Sequence, residues 1–275
     1  MLRLVRIVLT TIFTTFVTTS LAQPAIEQNH TQAWYGRVNR WTLSRDILHQ
    51  ELDLMQECGV SGYMIEMASW ARYQQQPWNE EWLKMIKREY CHLLKECRKR
   101  DIWLFVSIVN DNMGKRKYGD TGPALEEVYD YALKLAKIVK QSGSKNVIIQ
   151  PVAETNTQAG KRFELECITL FDGFTLIYNG DYGSPKTCPN GYNFRAIHPS
   201  HITSNVPTDA IIISDHGVII RELSIDGGLE SKGDPNKVKM WVEKLSQQGV
   251  PVVGYYAFKY EDFDPDTIRS LGKKR

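Results

Sequence analysis

The sequence predicts an α/β fold, a single-domain (β/α)8 TIM barrel, on three observations. From residue 44 onward, amphipathic helical patterns alternate with short apolar runs, the signature of a mostly parallel sheet covered by helices. Eight such runs can be placed along the 275-residue chain, the number a barrel of this type closes with. No glycine-rich turn follows the first run, where a doubly wound open sheet would usually carry one.

Trp34 to Val38 is the first strand. Ser44 caps a helix from Arg45 to Cys58, whose Ile47, Leu48, Leu52, Leu54 and Met55 form an apolar stripe and which Gly59 stops. Gly62 to Ala68, GYMIEMA, is the second strand. A long helix over 79–100 turns Trp82, Met85, Ile86, Leu93 and Leu94 inward. Ile102 to Val109, IWLFVSIV, is a continuous apolar run of the kind found in strands buried on both faces. Pro123 opens a third helix with Leu125, Val128, Leu133, Leu135 and Ile138 on its core side and Gly143 after its end. Asn146 to Ala153, NVIIQPVA, is the fourth strand, and a helix over 158–171 follows. Phe174 to Tyr178, Phe194 to Ile197 and Ala210 to Ser214 supply strands five to seven. The stretch 179–209 between them is dense in Gly, Pro and Asn and shows no full helix. Asp234 and Pro235 start a helix reaching Gln248, Val252 to Phe258 is the eighth strand, and a short helix over 265–271 closes the pattern.

The amino terminus reads differently. Arg3 and Arg6 precede an uncharged stretch from Ile7 to Leu21, and the small residues Ser20 and Ala22 precede Gln23. That order is a secretory signal peptide over 1–22, followed by an extension over 23–33 and the barrel over 34–275. Six threonines dilute the stretch, which falls short of the roughly 20 apolar residues of a spanning helix. The expected location is therefore secreted or periplasmic, with no membrane span after cleavage.

Cleavage removes two arginines and leaves 32 basic against 32 acidic residues. A formally neutral protein lacks the Lys and Arg excess that phosphate backbones require, so a nucleic-acid partner is not expected and neutral substrates fit better. The five cysteines, Cys58, Cys91, Cys97, Cys167 and Cys188, form neither a C-x-x-C pair nor a zinc-ribbon spacing. Most are expected as small buried apolar side chains. Nothing in the termini or loops signals an oligomer.

In a barrel of this kind the active site lies at the C-terminal ends of the strands. That rule selects Arg37, Glu66, Asn110 with Asp111, Glu154, Asn179, His198, Asp215 and Tyr256. Glu154 in QPVAET closes the fourth strand and Asp215 in IIISDHG closes the seventh. Two facing carboxyls can hold one protonated and one ionised at neutral pH, which is what cleavage of a glycosidic bond needs. Glu66, amid apolar residues in YMIEMA, is either a partner for Glu154 or a structural ion-pair member. Asn110, Asp111 and Asn179 suit substrate hydroxyls, His198 suits a hydrogen-bonding wall, and Tyr256 is the strand-end candidate of the eighth strand. Trp34, Trp41, Trp70, Tyr73 and Trp78 gather around the first two strands, where loop aromatics can stack on sugar rings.

This layout resembles the clan A glycoside hydrolases, a superfamily of retaining (β/α)8 enzymes. The resemblance implies a glycosidase acting on a carbohydrate substrate, with Glu154 as general acid/base, Asp215 as nucleophile, and Arg37, Glu66, Asn110, Asn179, His198 and Tyr256 around the substrate. The chain departs from the family in having Ala153 where an Asn usually precedes the acid/base, and Asp rather than Glu at 215. A shorter arm widens the carboxyl gap beyond the roughly 5–5.5 Å of retaining enzymes, toward the wider spacing that admits a water for inversion. The alternative is a barrel that has lost catalysis and binds glycan or protein. His198 and His201 form H-x-x-H beside Asp215 and His216, yet on extended chain such a pair points its rings to opposite sides. No metal and no cofactor is expected.

Overall fold

A computed structural model describes residues 31–37, 41, 44–68, 77–111, 123–153, 155, 157–179, 189–197, 210–215, 235–257 and 263–272, with the backbone alone for 210–215, 235, 237, 238, 241, 256 and 257. The elements run β1 (Gln32–Arg37), α1 (Arg45–Cys58), β2 (Gly62–Glu66), α2 (Glu80–Lys99), β3 (Trp103–Asn110), α3 (Tyr129–Gln141) and β4 (Val147–Ala153). They continue as α4 (Gln158–Leu170), β5 (Thr175–Tyr178), β6 (Phe194–Ile197), β7 (Ala210–Asp215), α5 (Pro235–Gln247), β8 (Val252–Ala257) and α6 (Pro265–Leu271). Every strand pairing is parallel, and the curled sheet has the cyclic order β1-β2-β3-β4-β5-β6-β7-β8, with β8 hydrogen-bonded back to β1.

Local chemistry sets the helix ends where the sequence placed them. Ser44 Oγ accepts from the Ile47 amide at 3.3 Å, and Asn79 Oδ1 accepts from Trp82 at 2.9 Å, each satisfying an amide the first turn leaves open. Gly59 follows α1 at φ 73°, the left-handed conformation that ends a helix without a Cβ clash. The third helix differs from its expected span. Pro123 does not open it, because Glu127 and Val128 donate to carbonyls three residues back, Ala124 and Leu125, and these tight turns delay α3 to Tyr129. Glu127 also reaches back to accept from the Ala124 amide at 2.8 Å, half of a capping box. The first strand begins at Gln32, two residues before the apolar run itself.

Two apolar clusters position everything else. Inside the curled sheet, Trp34, Met64, Phe105, Ile148, Ile177, Ala196 and Val252 form a floor. Trp34 lies against Gly62, where an added Cβ would strike the indole ring. Outside, Leu48, Leu52 and Met55 of α1, Ile86, Leu93 and Leu94 of α2, Leu135 and Val139 of α3, and Phe163 of α4 pack on the sheet's other face. Both faces being covered explains why these strands read as continuous apolar runs. Cys97 and Cys167 are buried, Cys58 is half-buried and Cys91 is exposed; no disulfide joins these four, and Cys188 lies outside the described residues. No helix among the described residues is long and apolar enough to cross a membrane.

Candidate active site

The strand register sorts the residues selected from the sequence. Parallel partners face the same way and alternate residues face opposite ways, so the floor residues define the inward set. Met64 and Phe105 belong to it, and two positions further along the strands the same row holds Glu66, Ser107 and Gln150. Asn179 stands two residues beyond Ile177 on the inward set of β5. Asp215 pairs with Tyr256, which pairs with Gly36, so both occupy inward register positions near their strand ends. Arg37 pairs with Ile65, and Asn110 with Ala153, in the outward set.

The row above the floor is polar. Glu66 is 9% exposed, Ser107 and Gln150 are each 2% exposed, and Asn179 is buried at 1%. Neither Ser107 Oγ nor Gln150 Nε2 has a hydrogen-bond partner among the described residues. A buried polar atom left in that state costs about 1–3 kcal/mol. Ser107 and Gln150 were missed in the sequence. Their signal was there as single polar breaks in IWLFVSIV and NVIIQPVA, each at an inward position two residues after a floor residue.

Arg37, expected at the substrate, is fully buried behind the sheet. Its Nε and Nη2 donate to Glu51 Oε1 of α1 at 2.6 and 2.5 Å. Tyr35 and Tyr63 donate their hydroxyls to the same carboxylate at 3.1 and 2.8 Å. The physical reason is register: as the outward residue of β1, Arg37 meets helix α1 and not the interior. Burial and the neighbouring Glu51 charge push the Tyr35 hydroxyl well above its ordinary value. Glu66 is fixed by its backbone, since Trp41 Nε1 donates to the carbonyls of Glu66 and Met67 at 2.8 and 3.1 Å.

Ala153, Thr155 and Thr157 are each tied to neighbouring elements. The Asp111 amide donates to the Ala153 carbonyl at 3.0 Å, and the Thr155 amide donates to the Asn179 carbonyl at 3.2 Å. Thr155 Oγ1 donates outward to Glu164 of α4 at 2.5 Å. The buried Asp111 carboxylate accepts from the Thr157 amide at 2.5 Å and from its hydroxyl at 2.6 Å, while Thr157 Oγ1 caps α4 by accepting from Gly160 at 3.1 Å. Asp111 thus anchors a turn. Burial, with a further push from Asp111, raises the Glu164 carboxyl to about 7 although Thr155 hydrogen-bonds to it.

Glu154, His198, Trp70 and Tyr73 lie outside the described residues, as do the His201 and His216 considered with them. Trp34 belongs to the floor, and Trp78 packs edge-on against Tyr131 at 5.0 Å.

No family model matches the chain, and no curated protein matches its sequence. Solved structures do match its fold. A family 5 glycoside hydrolase from Bacteroides vulgatus superposes over 82% of this chain and 57% of its own length, with a TM-score of 0.56 and 9% identity. An endo-1,4-β-mannanase from Rhizomucor miehei superposes over 88% of this chain and 94% of its own, with a TM-score of 0.52 and 10% identity. A thermostable, halotolerant family 5 cellulase from an Icelandic hot spring isolate covers 82% and 76%, with a TM-score of 0.52 and 12% identity. The chain is therefore similar in fold to clan A glycoside hydrolases, with a TIM-barrel-like parallel α/β architecture.

Proposed function

We propose that this chain is an exported glycoside hydrolase that cleaves O-glycosidic bonds of an oligosaccharide or polysaccharide with two carboxylates, Glu154 and Asp215. The observation that carries the reading is the polar row of Glu66, Ser107, Gln150 and Asn179 above an apolar floor, at the strand ends of a glycosidase-like fold. In this reading residues 1–22 are a cleaved export signal and residues 34–275 form a (β/α)8 domain.

The alternation of β4 supports the role of Glu154. Ile148 belongs to the floor and Gln150 to the polar row, and the same two-residue period read along the sequence assigns Glu154 to that set. As general acid, Glu154 hands a proton to the leaving oxygen. As nucleophile or base, Asp215 meets the oxocarbenium-like carbon directly or through a water, and the arm length of Asp favours the water. Glu66, Asn179, Tyr256 and His198 then hold substrate hydroxyls or the ring, and the orphaned Ser107 and Gln150 join them. Arg37 has no part in this set because Glu51 holds it behind the sheet; Asn110 stays outside it on register.

The test is a panel of soluble β-glucans, β-mannans and their oligosaccharides. The wild-type protein should release reducing ends from at least one, and Asp215→Asn should lower that rate by two or more orders of magnitude, roughly, with folding intact. Binding of a glycan without release from any substrate would replace this reading with a non-catalytic one.

A further inference from the structure

Outside the sheet, a cluster of side chains plays no part in the site just described. His49 of α1 and His92 and Glu96 of α2 each offer a ligand atom, all within 4.8 Å of one another. His92 and Glu96 are four residues apart and share one face of α2. His49 Nε2 stands 4.0 Å from Glu96 Oε2, and the two imidazole rings lie 5.5 Å apart at 41°. Both Nε2 atoms are buried and neither has a hydrogen-bond partner among the described residues. One orphaned ring nitrogen is an ordinary imperfection. Two beside the same carboxylate, from two different helices, form a donor set that lacks its acceptor.

The geometry points to a binding site for a borderline divalent cation of the zinc type, held by His49, His92 and Glu96 and clipping α1 to α2. Two imidazoles and one carboxylate favour zinc, nickel or copper over calcium and magnesium, which prefer all-oxygen shells. Tetrahedral zinc with bonds of about 2.0–2.1 Å needs ligand atoms about 3.3 Å apart. The cluster must therefore tighten by up to about 1.5 Å, a movement open to His49, whose side chain is 42% exposed.

Glu96 already accepts from Lys99 Nζ at 2.6 Å and from Arg100 Nη1 at 2.9 Å. Each carboxylate oxygen has a second lone pair to offer the cation. Lys99 is about half exposed and can swing away, while Arg100 is also held by Asp53 at 2.7 Å. The His198 and His201 pair considered from the sequence is a different set of residues on a different part of the chain.

The experiment titrates the metal-stripped, full mature protein with zinc chloride in a calorimeter and follows its melting temperature. One equivalent should bind and raise the melting temperature, and His49→Ala and His92→Ala should each weaken binding on the order of a hundredfold. Circular dichroism of the variants guards against loss of fold. Cobalt substitution should show no thiolate charge-transfer band, because Cys91, exposed one residue before His92, is not a ligand. Absence of one-equivalent binding in the wild type, undiminished binding in both variants, or a thiolate band would each overturn the site. Hydrolysis plays no part in the readout, so the result stands apart from the glycosidase reading.

Discussion

Glu164 shows how a single buried group writes itself into the pH response of the whole chain. Its carboxyl is raised from the ordinary 4.5 to about 7, first by burial. The folded state therefore holds a proton that the unfolded state has released between those values. The stability this contributes is full below about 4.5 and is lost as pH rises through about 7. Glu164→Gln keeps an acceptor for Thr155 and removes the titration. Its melting temperature should exceed that of the wild type by a margin that widens from about pH 5 to about pH 8, by up to about 3 kcal/mol in stability. A margin that stays flat would show that Glu164 titrates normally. None of this was legible in GKRFELECITL, where Glu164 looks like one more surface acid of a helix. Its burial depends on Thr155 facing outward, a fact of register. The same blindness placed Arg37 at the substrate: sequence locates a residue at a strand end, but the face it presents follows from its partners.

Elements are joined by two arrangements that make opposite demands. Between β1, β2 and α1, the Glu51 carboxylate gathers Arg37, Tyr35 and Tyr63 with no solvent exposure at Arg37 or Glu51. Removing one partner strands the other charge, so Glu51→Ala should lose about 3–5 kcal/mol in denaturant unfolding. An Arg37 variant should likewise lower stability while leaving KM where it was; a raised KM in a protein of unchanged stability would return Arg37 to the substrate. Between β3, β4 and α4 the demand is steric. A Cβ on Gly160 would collide with the Asp111 carboxylate that holds Thr157. Gly160→Ala should therefore lower stability by about 1–3 kcal/mol and loosen the segment that carries Glu154. The Ser44 cap was legible because its chemistry is local. The late start of α3 was not, because Pro123 announces a helix without saying how many tight turns come first.

At the scale of the molecule, the alternation of periods was enough to place the described strands to within two residues or so of their ends, and β6 and α6 fall where the sequence put them. Strands buried on both faces keep a composition that survives at low sequence identity, which is why the fold could be read and is shared with hydrolases only 9–12% identical. The candidate site was read as a set of strand ends, and register divides that set into an inward group of positions, with Glu66, Asn179, Asp215 and Tyr256, and an outward group. Glu154 carries the central claim. The most direct measurement compares the initial rate of reducing-end release by Glu154→Gln and by the wild type on a soluble β-glucan or β-mannan that the wild type cleaves. The account predicts a loss of about a thousandfold or more in kcat with an unchanged melting temperature. A Glu154→Gln protein that retains wild-type turnover would contradict it.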